Sequence, residues 1–117
     1  MISAYQSALS ALQAFGTRVT ANADNIANST TDGYKRTRVT LAAAQPQGVR
    51  ATAEKDAAEG PMVPKETTGG IEFIEQSNVD LANELTDMTL NATYYKANLK
   101  TLQATDQMTK SLLDIKA

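Results

Sequence analysis

The sequence contains no cysteine, no histidine and no tryptophan. Without cysteine there is neither a disulfide framework nor a thiol nucleophile, and without histidine the commonest general base and metal ligand are missing. No apolar run approaches the length of about 18 residues that a membrane helix needs. A basic segment followed by an apolar one is also absent at the N-terminus, so we expect no cleaved secretory signal.

Large side chains and net charge are scarce as well. Of 117 residues only four are tyrosine and two are phenylalanine, which limits the chain to one domain with a thin core. The formal net charge is -2, so the chain has no general attraction to nucleic acid or anionic lipid.

What is present is helical periodicity at both ends of the chain. Near the N-terminus, apolar and small residues recur in alternating steps of three and four. This spacing predicts a helix over residues 2–27, roughly 39 Å long, with one apolar seam. The seam consists of Ile2, Tyr5, Leu9, Leu12, Gly16, Val19, Ala23 and Ile26.

A second seam of the same kind predicts a helix over residues 79–115, roughly 55 Å long. Ser77 and Asp80 have the spacing of a capping box at its start. Threonine is frequent along this helix and lowers its intrinsic helix propensity, so it needs packing partners, for which other copies of the chain are the obvious source. The seam consists of Leu81, Leu85, Met88, Ala92, Tyr95, Leu99 and Leu102, and it resumes after a slip at Met108, Leu112 and Ile115.

The segment between the helices holds all three prolines and five of the six glycines. Residues 36–41 alternate loosely as a strand would, with 48–53 as a possible partner and 71–73 as a third, so we expect short strands or irregular structure with few tertiary contacts. Gly60-Pro61, Pro64 and Gly69-Gly70 indicate turns or open chain. The sequence therefore predicts a mainly α fold, in which N- and C-terminal helices pair as an antiparallel coiled-coil hairpin with a short extended or β insert between them. The predicted parts are a heptad helix (1–28), an insert with loops (29–76) and a second heptad helix (77–117), which together form one domain.

Asparagine is concentrated where the first helix pattern stops, in the stretch ANADNIANSTTDGYKR of residues 21–36. Asn28 is suited to end the helix in the left-handed region, and Gly33 to supply a positive φ. Asn22 and Asn25 lie inside the heptad, where asparagine is a poor helix former but can specify register against an adjacent helix. Local capping and turn formation alone would explain residues 28–33.

Two charged clusters carry no catalytic or ligand-binding prediction. The basic residues Lys35, Arg36 and Arg38 are too few for nucleic-acid binding. Asp80, Glu84 and the nearby Asp87 lack a histidine or a further ligand, so we interpret them as a charged, exposed helix face. The sequence indicates neither an enzyme nor a metal or cofactor site.

The asparagine stretch carries a resemblance. Residues 21–28 (Ala-Asn-Ala-Asp-Asn-Ile-Ala-Asn) and 31–35 (Thr-Asp-Gly-Tyr-Lys) resemble the N-terminal signature of bacterial flagellar rod and hook proteins. Residues 77–82 with Glu84, 95–98, 105–108 and 112–116 resemble the C-terminal helix of the same family. Asp24 and Thr93 depart from the family pattern, which usually has asparagine and commonly arginine at these positions.

This resemblance implies a structural subunit of the flagellar basal-body rod, which stacks through its terminal helices into the torque-transmitting shaft and export channel. It implies a periplasmic rod location, export without a cleaved signal, and contacts with itself, other rod and axial proteins and the flagellar export apparatus. It implies no nucleic acid, small-molecule substrate, cofactor or membrane insertion. The motif positions implied to fix register between subunits are Asn22, Asn25, Asn28, Gly33, Tyr34, Lys35, Asn78, Asp80 and Asn98.

The subtype and one alternative stay open at this point. The short insert is most like a small proximal-rod subunit, whereas residues 112–116 are more like distal-rod relatives. The alternative function is a cytoplasmic helical-hairpin binding module or export chaperone, which would expose a long apolar groove to a client. Sedimentation and localisation would separate the two functions.

Overall fold

The computed structural model describes residues 2–116 as an elongated molecule of 79 × 24 × 19 Å. Along the chain, four strands lie between an N-terminal and a C-terminal helix, both long. The elements are α1 (Ile2–Ala27), β1 (Thr37–Ala43), β2 (Val49–Lys55), β3 (Met62–Thr67), β4 (Gly70–Glu75) and α2 (Leu81–Lys116).

The segment between the helices is more regular than the predicted short insert. β1 pairs antiparallel with β2, and β3 pairs antiparallel with β4, so that two separate β-hairpins follow one another. Strands account for 23% of the described residues. The predicted mainly α fold, a coiled-coil hairpin with a short extended insert, is therefore wrong, and the architecture is two β-hairpins between terminal helices.

Strand β3 lies outside the strand ranges predicted from the sequence. Pro61 and Pro64 read as turn signals, yet Pro64 lies inside β3 opposite Phe73. Each strand of a two-stranded sheet is an edge strand, and proline is tolerated there because one side of the strand needs no backbone N–H. The other three strands overlap the predicted ranges 36–41, 48–53 and 71–73.

The two helices run antiparallel, as contacts along their length show. Asn22 near the end of α1 meets Glu84 near the start of α2, and further along the rings of Phe15 and Tyr94 lie 5.2 Å apart. Gly16 lies beside the ring of Tyr95, at a distance that a methyl group would also fit. An alanine would therefore also be accommodated at this point of the helix pair.

The face that α2 turns inward is more polar than the predicted seam. Its buried residues are Glu84, Asn91 and Thr105, with half-buried Met88, Ala92, Asn98 and Leu102 among them. The predicted seam residues Leu81, Leu85 and Leu99 instead remain 45%, 50% and 40% exposed. The steps of three and four are real, but the helix is rotated so that much of its leucine stripe lies on a flank.

The remaining predicted seam positions divide along the length of the molecule. Leu12 is buried, and Val19 and Ile26 are half-buried. Towards the other end exposure is greater, so the apolar seam closes only in part within one chain. The exposed positions there are Ile2, Tyr5, Leu9, Tyr95, Met108, Leu112 and Ile115.

Helix α1 lies between α2 and the first hairpin. Ala14 and Ala21 are 2% and 8% exposed, and such small side chains let the β1–β2 sheet approach the helix closely. The Ser10 hydroxyl accepts a hydrogen bond from the backbone N–H of Val49 at 3.1 Å. Gly48 has a φ of 104° and lies where a Cβ atom would meet this hydroxyl, so both its conformation and its contact require glycine.

The helix ends differ in detail from the predictions. Asp80, not Ser77, caps α2, because its Oδ1 accepts from the backbone N–H groups of Ala82 and Asn83. The helix consequently begins at Leu81 rather than at residue 79. No non-glycine residue in residues 2–116 has a positive φ, so the predicted left-handed conformation of Asn28 is wrong, while Gly33 has the predicted positive φ of 69°.

Candidate functional site

Asn25 is the most deeply buried large side chain among residues 2–116, with 1% exposure. Its Nδ2 donates to the carbonyl of Thr37 at 2.9 Å, and its Oδ1 accepts from the N–H of the same residue at 2.7 Å. The hydroxyl of Tyr34 donates to Oδ1 as well, at 3.1 Å. The amide therefore pairs with β1 as a neighbouring strand would, and joins the end of α1 to the start of the first hairpin.

Asn22 makes the corresponding link to α2. Its Nδ2 donates to Oε2 of Glu84 at 2.6 Å, and its Oδ1 accepts from Nδ2 of Asn91 at 2.9 Å. Glu84 is 5% exposed, and the guanidinium of Arg36 lies 4.0 Å from its other oxygen. A buried carboxylate needs such partners because desolvation disfavours its charge.

Asn78, in the segment before α2, ties three parts of the chain together. Its Oδ1 accepts from the N–H of Arg36 at 2.7 Å, and its Nδ2 donates to the carbonyls of Asp56 and Ala58 at 3.2 and 2.8 Å. We call Asn22, Asn25, Arg36, Asn78 and Glu84 the polar clamp. Across residues 2–116, every buried side-chain nitrogen or oxygen has a hydrogen-bond partner.

Two carboxylates at the edge of the polar clamp are held in their ionised form. Asp56 accepts from the N–H of Ala58 at 3.1 Å and from Nε of Arg36 at 2.9 Å, and these contacts hold its pKa below the ordinary value. Glu75 accepts from the ammonium of Lys35 at 2.5 Å and from the N–H of Gly60 at 2.7 Å. These two contacts likewise lower the pKa of Glu75.

The base of the second hairpin is attached through the same region. The N–H of Gly33 donates to the carbonyl of Glu75 at 2.8 Å, and Lys65 pairs with Asp32 at 2.7 Å. Gly60 packs so closely that a Cβ atom would lie 2.0 Å from the carbonyl oxygen of Gln76. The Thr-Asp-Gly-Tyr-Lys stretch thus serves as the junction from which both hairpins leave.

The structure brings most of the predicted motif residues together at one end of the helix pair. Asn22, Asn25, Tyr34, Lys35 and Asn78 all bond across segments within one chain, whereas a role between subunits stays a prediction. The remaining motif asparagines and Asp80 bond locally: Asn28 to the carbonyl of Asp24, and Asn98 to that of Tyr94.

Part of this site was not predicted from the sequence. Glu84 is predicted as exposed and is buried, and Asn91 is not singled out, although both follow the inward steps of three and four along α2. A polar residue at such a position is the signal that could have found them, since it needs a partner on the facing helix. Asp56 lies in a segment with no pattern of its own.

Within residues 2–116 there is no group of three or more acidic, cysteine or histidine side chains that could hold a metal ion. Neither described helix is long and apolar enough to cross a membrane. Exposed apolar side chains are instead abundant along α2 and on the second hairpin. Those of α2 outside the predicted seam are Leu90, Tyr94 and Leu113, and those of the hairpin are Met62, Val63, Ile71 and Phe73.

Comparison with protein families identifies both ends of the chain. Residues 6–35 match the family described as flagella basal body rod protein. Residues 72–115 match the family described as flagellar basal body rod FlgEFG protein C-terminal. These matches together span more than half of the sequence, and the chain belongs to the flagellar basal-body rod protein family. A search of curated proteins finds no match.

The matched segments coincide with the parts described above. The N-terminal match contains α1 and the junction residues through Lys35, and the C-terminal match contains most of β4 and nearly all of α2. The protein therefore has a structural role in the basal body of the bacterial flagellum.

Proposed function

We propose that this chain is a self-assembling subunit of the flagellar rod, which stacks helically through its terminal helices into a torque-transmitting shaft around the export channel. The observation that carries the proposal is the exposure of the α2 leucines. Leu85 and Leu99 are half or nearly half exposed on a helix that contacts α1 and no strand among residues 2–116. Side chains of this kind gain burial only from another molecule.

The polar clamp supports the same function, because an assembled shaft needs subunits of one shape. Its hydrogen bonds are specific in direction and tie both helices to the first hairpin, so they fix how α2 lies against α1. A subunit held in this way presents its exposed leucines at defined positions. Repeated contacts between two different surfaces then extend a helical assembly without closing it.

The finer parts of the proposal follow from family membership. We infer a periplasmic rod location, export through the flagellar export apparatus without a cleaved signal, and contacts with other rod and axial proteins. The limited size of the two hairpins favours a small proximal-rod subunit. The proposed role is mechanical, with no catalytic step.

Basal bodies purified from cells that carry an epitope tag on this chain test the proposal directly. We expect labelled antibody to decorate the rod in electron micrographs, and the chain to sediment with basal bodies. A chain that stays in the cytoplasm as a small oligomer, unaltered by loss of flagella, would instead identify a binding module or export chaperone.

A further inference from the structure

The β3–β4 hairpin packs against neither helix and not against the other hairpin within residues 2–116. A lone two-stranded hairpin is at best marginally stable in water, and it needs a surface to pack on. The base of this hairpin is anchored through Gly33, Lys35 and Asp32. Its anchored base and bare strands indicate that the packing surface comes from another molecule.

One face of this hairpin carries exposed apolar side chains. Residues opposite each other in an antiparallel ladder share a face, and the register puts Pro64 opposite Phe73 and Glu66 opposite Ile71 on the same side. Phe73 and Ile71 are each 69% exposed, and Met62 on this face is 58% exposed. We call this the outer hairpin face. Glu66 supplies a carboxylate near its tip, whereas Glu75 at the base is already paired with Lys35.

A complementary surface runs along α2. Leu85, Ala92 and Leu99 follow one another in steps of seven along one flank of α2, beside its inward face; Ala92 is half-buried, and both leucines are exposed. Lys96 lies three and four residues from Leu99 and Ala92, so its ammonium borders the same stripe, and it is exposed. We call these four residues the leucine flank. It extends over roughly 21 Å of helix, more than the roughly 14 Å from Met62 to Glu66 along β3.

We propose that the outer hairpin face of one subunit docks on the leucine flank of a second copy, with Glu66 set against Lys96. In this contact the apolar side chains of both surfaces are removed from water, and the carboxylate of Glu66 pairs with the ammonium of Lys96. Pairing two outer hairpin faces would instead bring together carboxylates with no cation on either face to balance them. The proposed contact joins two different surfaces, so it is open-ended and rests on the self-assembly proposed above.

Cysteine cross-linking tests this contact cleanly because the chain has no cysteine of its own. Rods are isolated from cells that express the wild-type chain together with a copy that carries Phe73→Cys and Leu99→Cys, so that assembly does not depend on the substituted side chains, and they are oxidised. We expect a ladder of dimers, trimers and larger species on a denaturing gel. The matched control is Glu72→Cys with Leu99→Cys, because Glu72 is exposed on the same strand but belongs to the opposite face; it should give no ladder.

Charge reversal provides a second readout that leaves the fold intact, because both side chains are exposed. Glu66→Lys and Lys96→Glu should each reduce the number of rods per cell at equal export, and the two changes combined should restore it. Glu72→Lys should leave rod number unchanged.

Three results would overturn the docking contact while leaving the proposed function standing. The first is a chain present in rods without a ladder. The second is dimers from Phe73→Cys alone, which would mean that two hairpins meet each other. The third is a combined reversal that restores nothing. A tagged wild-type chain absent from rods would instead remove the proposed function and this contact with it.

Discussion

At the scale of single residues, the side-chain amide of Asn25 makes the hydrogen bonds that the backbone of a neighbouring strand would make elsewhere. The amide of Asn25 has one donor and one acceptor set against the carbonyl and N–H of Thr37, which is the pairing that a strand would offer. Alanine is the better helix former by a few tenths of a kcal/mol, so the position gives up some helix propensity. We expect the hydrogen bonds to outweigh this cost because the Asn25 amide is buried and its partner groups on Thr37 are partly buried.

Asn25→Ala should therefore destabilise the junction between α1 and β1. Removing the amide strands the N–H and carbonyl of Thr37, which costs about 1–3 kcal/mol for a buried group. The matched control is Asn28→Ala, since the Asn28 amide bonds locally to Asp24 in an exposed place and its loss should cost well under 1 kcal/mol. Amide hydrogen exchange at Thr37 measures the difference, and equal protection in the two variants would contradict a role for Asn25 at the junction.

The carboxylates of Asp56 and Glu75 make stability depend on pH in the acid range. Contacts in the folded chain lower the pKa of both groups, so the unfolded chain takes up protons first as the pH falls. Their contribution is complete above the unfolded pKa values and is lost from about pH 5 downward. Urea unfolding across this range should show the loss, and Glu75→Gln should flatten it. A pH dependence unchanged in that variant would exclude Glu75 as a source.

At the scale of elements, the spacing of apolar residues predicts that a helix or strand is present better than it predicts which face of that element is buried. Both helices and three strands follow from the spacing of apolar residues, and α1 ends at Ala27 as predicted. The rotation of α2 could not be predicted, because its leucine stripe and its inward line of Glu84, Asn91 and Thr105 share nearly the same period. Only the partners decide which line faces α1, and those partners come from distant segments.

The same limit applies to the site. The asparagines were recognisable from their position inside a heptad, whereas their partners were not. Thr37 contacts Asn25 only through its backbone N–H and carbonyl. Every residue type except proline has both groups, so the sequence does not indicate which residue is the partner. Arg36 and Asp56 meet across the first hairpin at 2.9 Å, a contact that depends on strand register.

Leu85→Ala and Leu99→Ala should impair rod assembly far more than Thr86→Ala, while leaving the single chain nearly as stable as before. The two leucines are exposed in the chain and would become buried only on assembly, where each truncation costs about 2–5 kcal/mol if burial is complete. Motility and rod counts at equal expression and export provide the measurement. Equal assembly of the three variants would show that the leucine flank is not an assembly surface.

At the scale of the whole molecule, the chain has too few buried apolar side chains to stabilise the helix pair along its full length. The buried hydrophobic residues of residues 2–116 are Ala8, Leu12, Ala14 and Ala21, all in α1. Threonine side chains along α2 donate to carbonyls four residues earlier. Such hydrogen bonds slightly destabilise a helix and favour its bending. We infer that such a molecule would gain part of its order from neighbouring subunits in the proposed rod.

We therefore expect the dilute monomer to have weakly ordered terminal helices that gain order on assembly. Circular dichroism should show less helix than the 26 residues of α1 and the 36 of α2 would give, with an increase when the chain polymerises. Full helix content at concentrations where sedimentation shows only monomer would contradict this expectation.

The polar clamp lies at one end of the helix pair, where Asn22 meets Glu84 and Asn91. The other end of the pair lies roughly 30 Å away, towards Ile2, and carries the more exposed apolar side chains. In the proposed rod, we infer that the end near Ile2 would yield first under a twisting load, while the polar clamp would keep its geometry. Compliance and fixed shape would then belong to opposite ends of the helix pair.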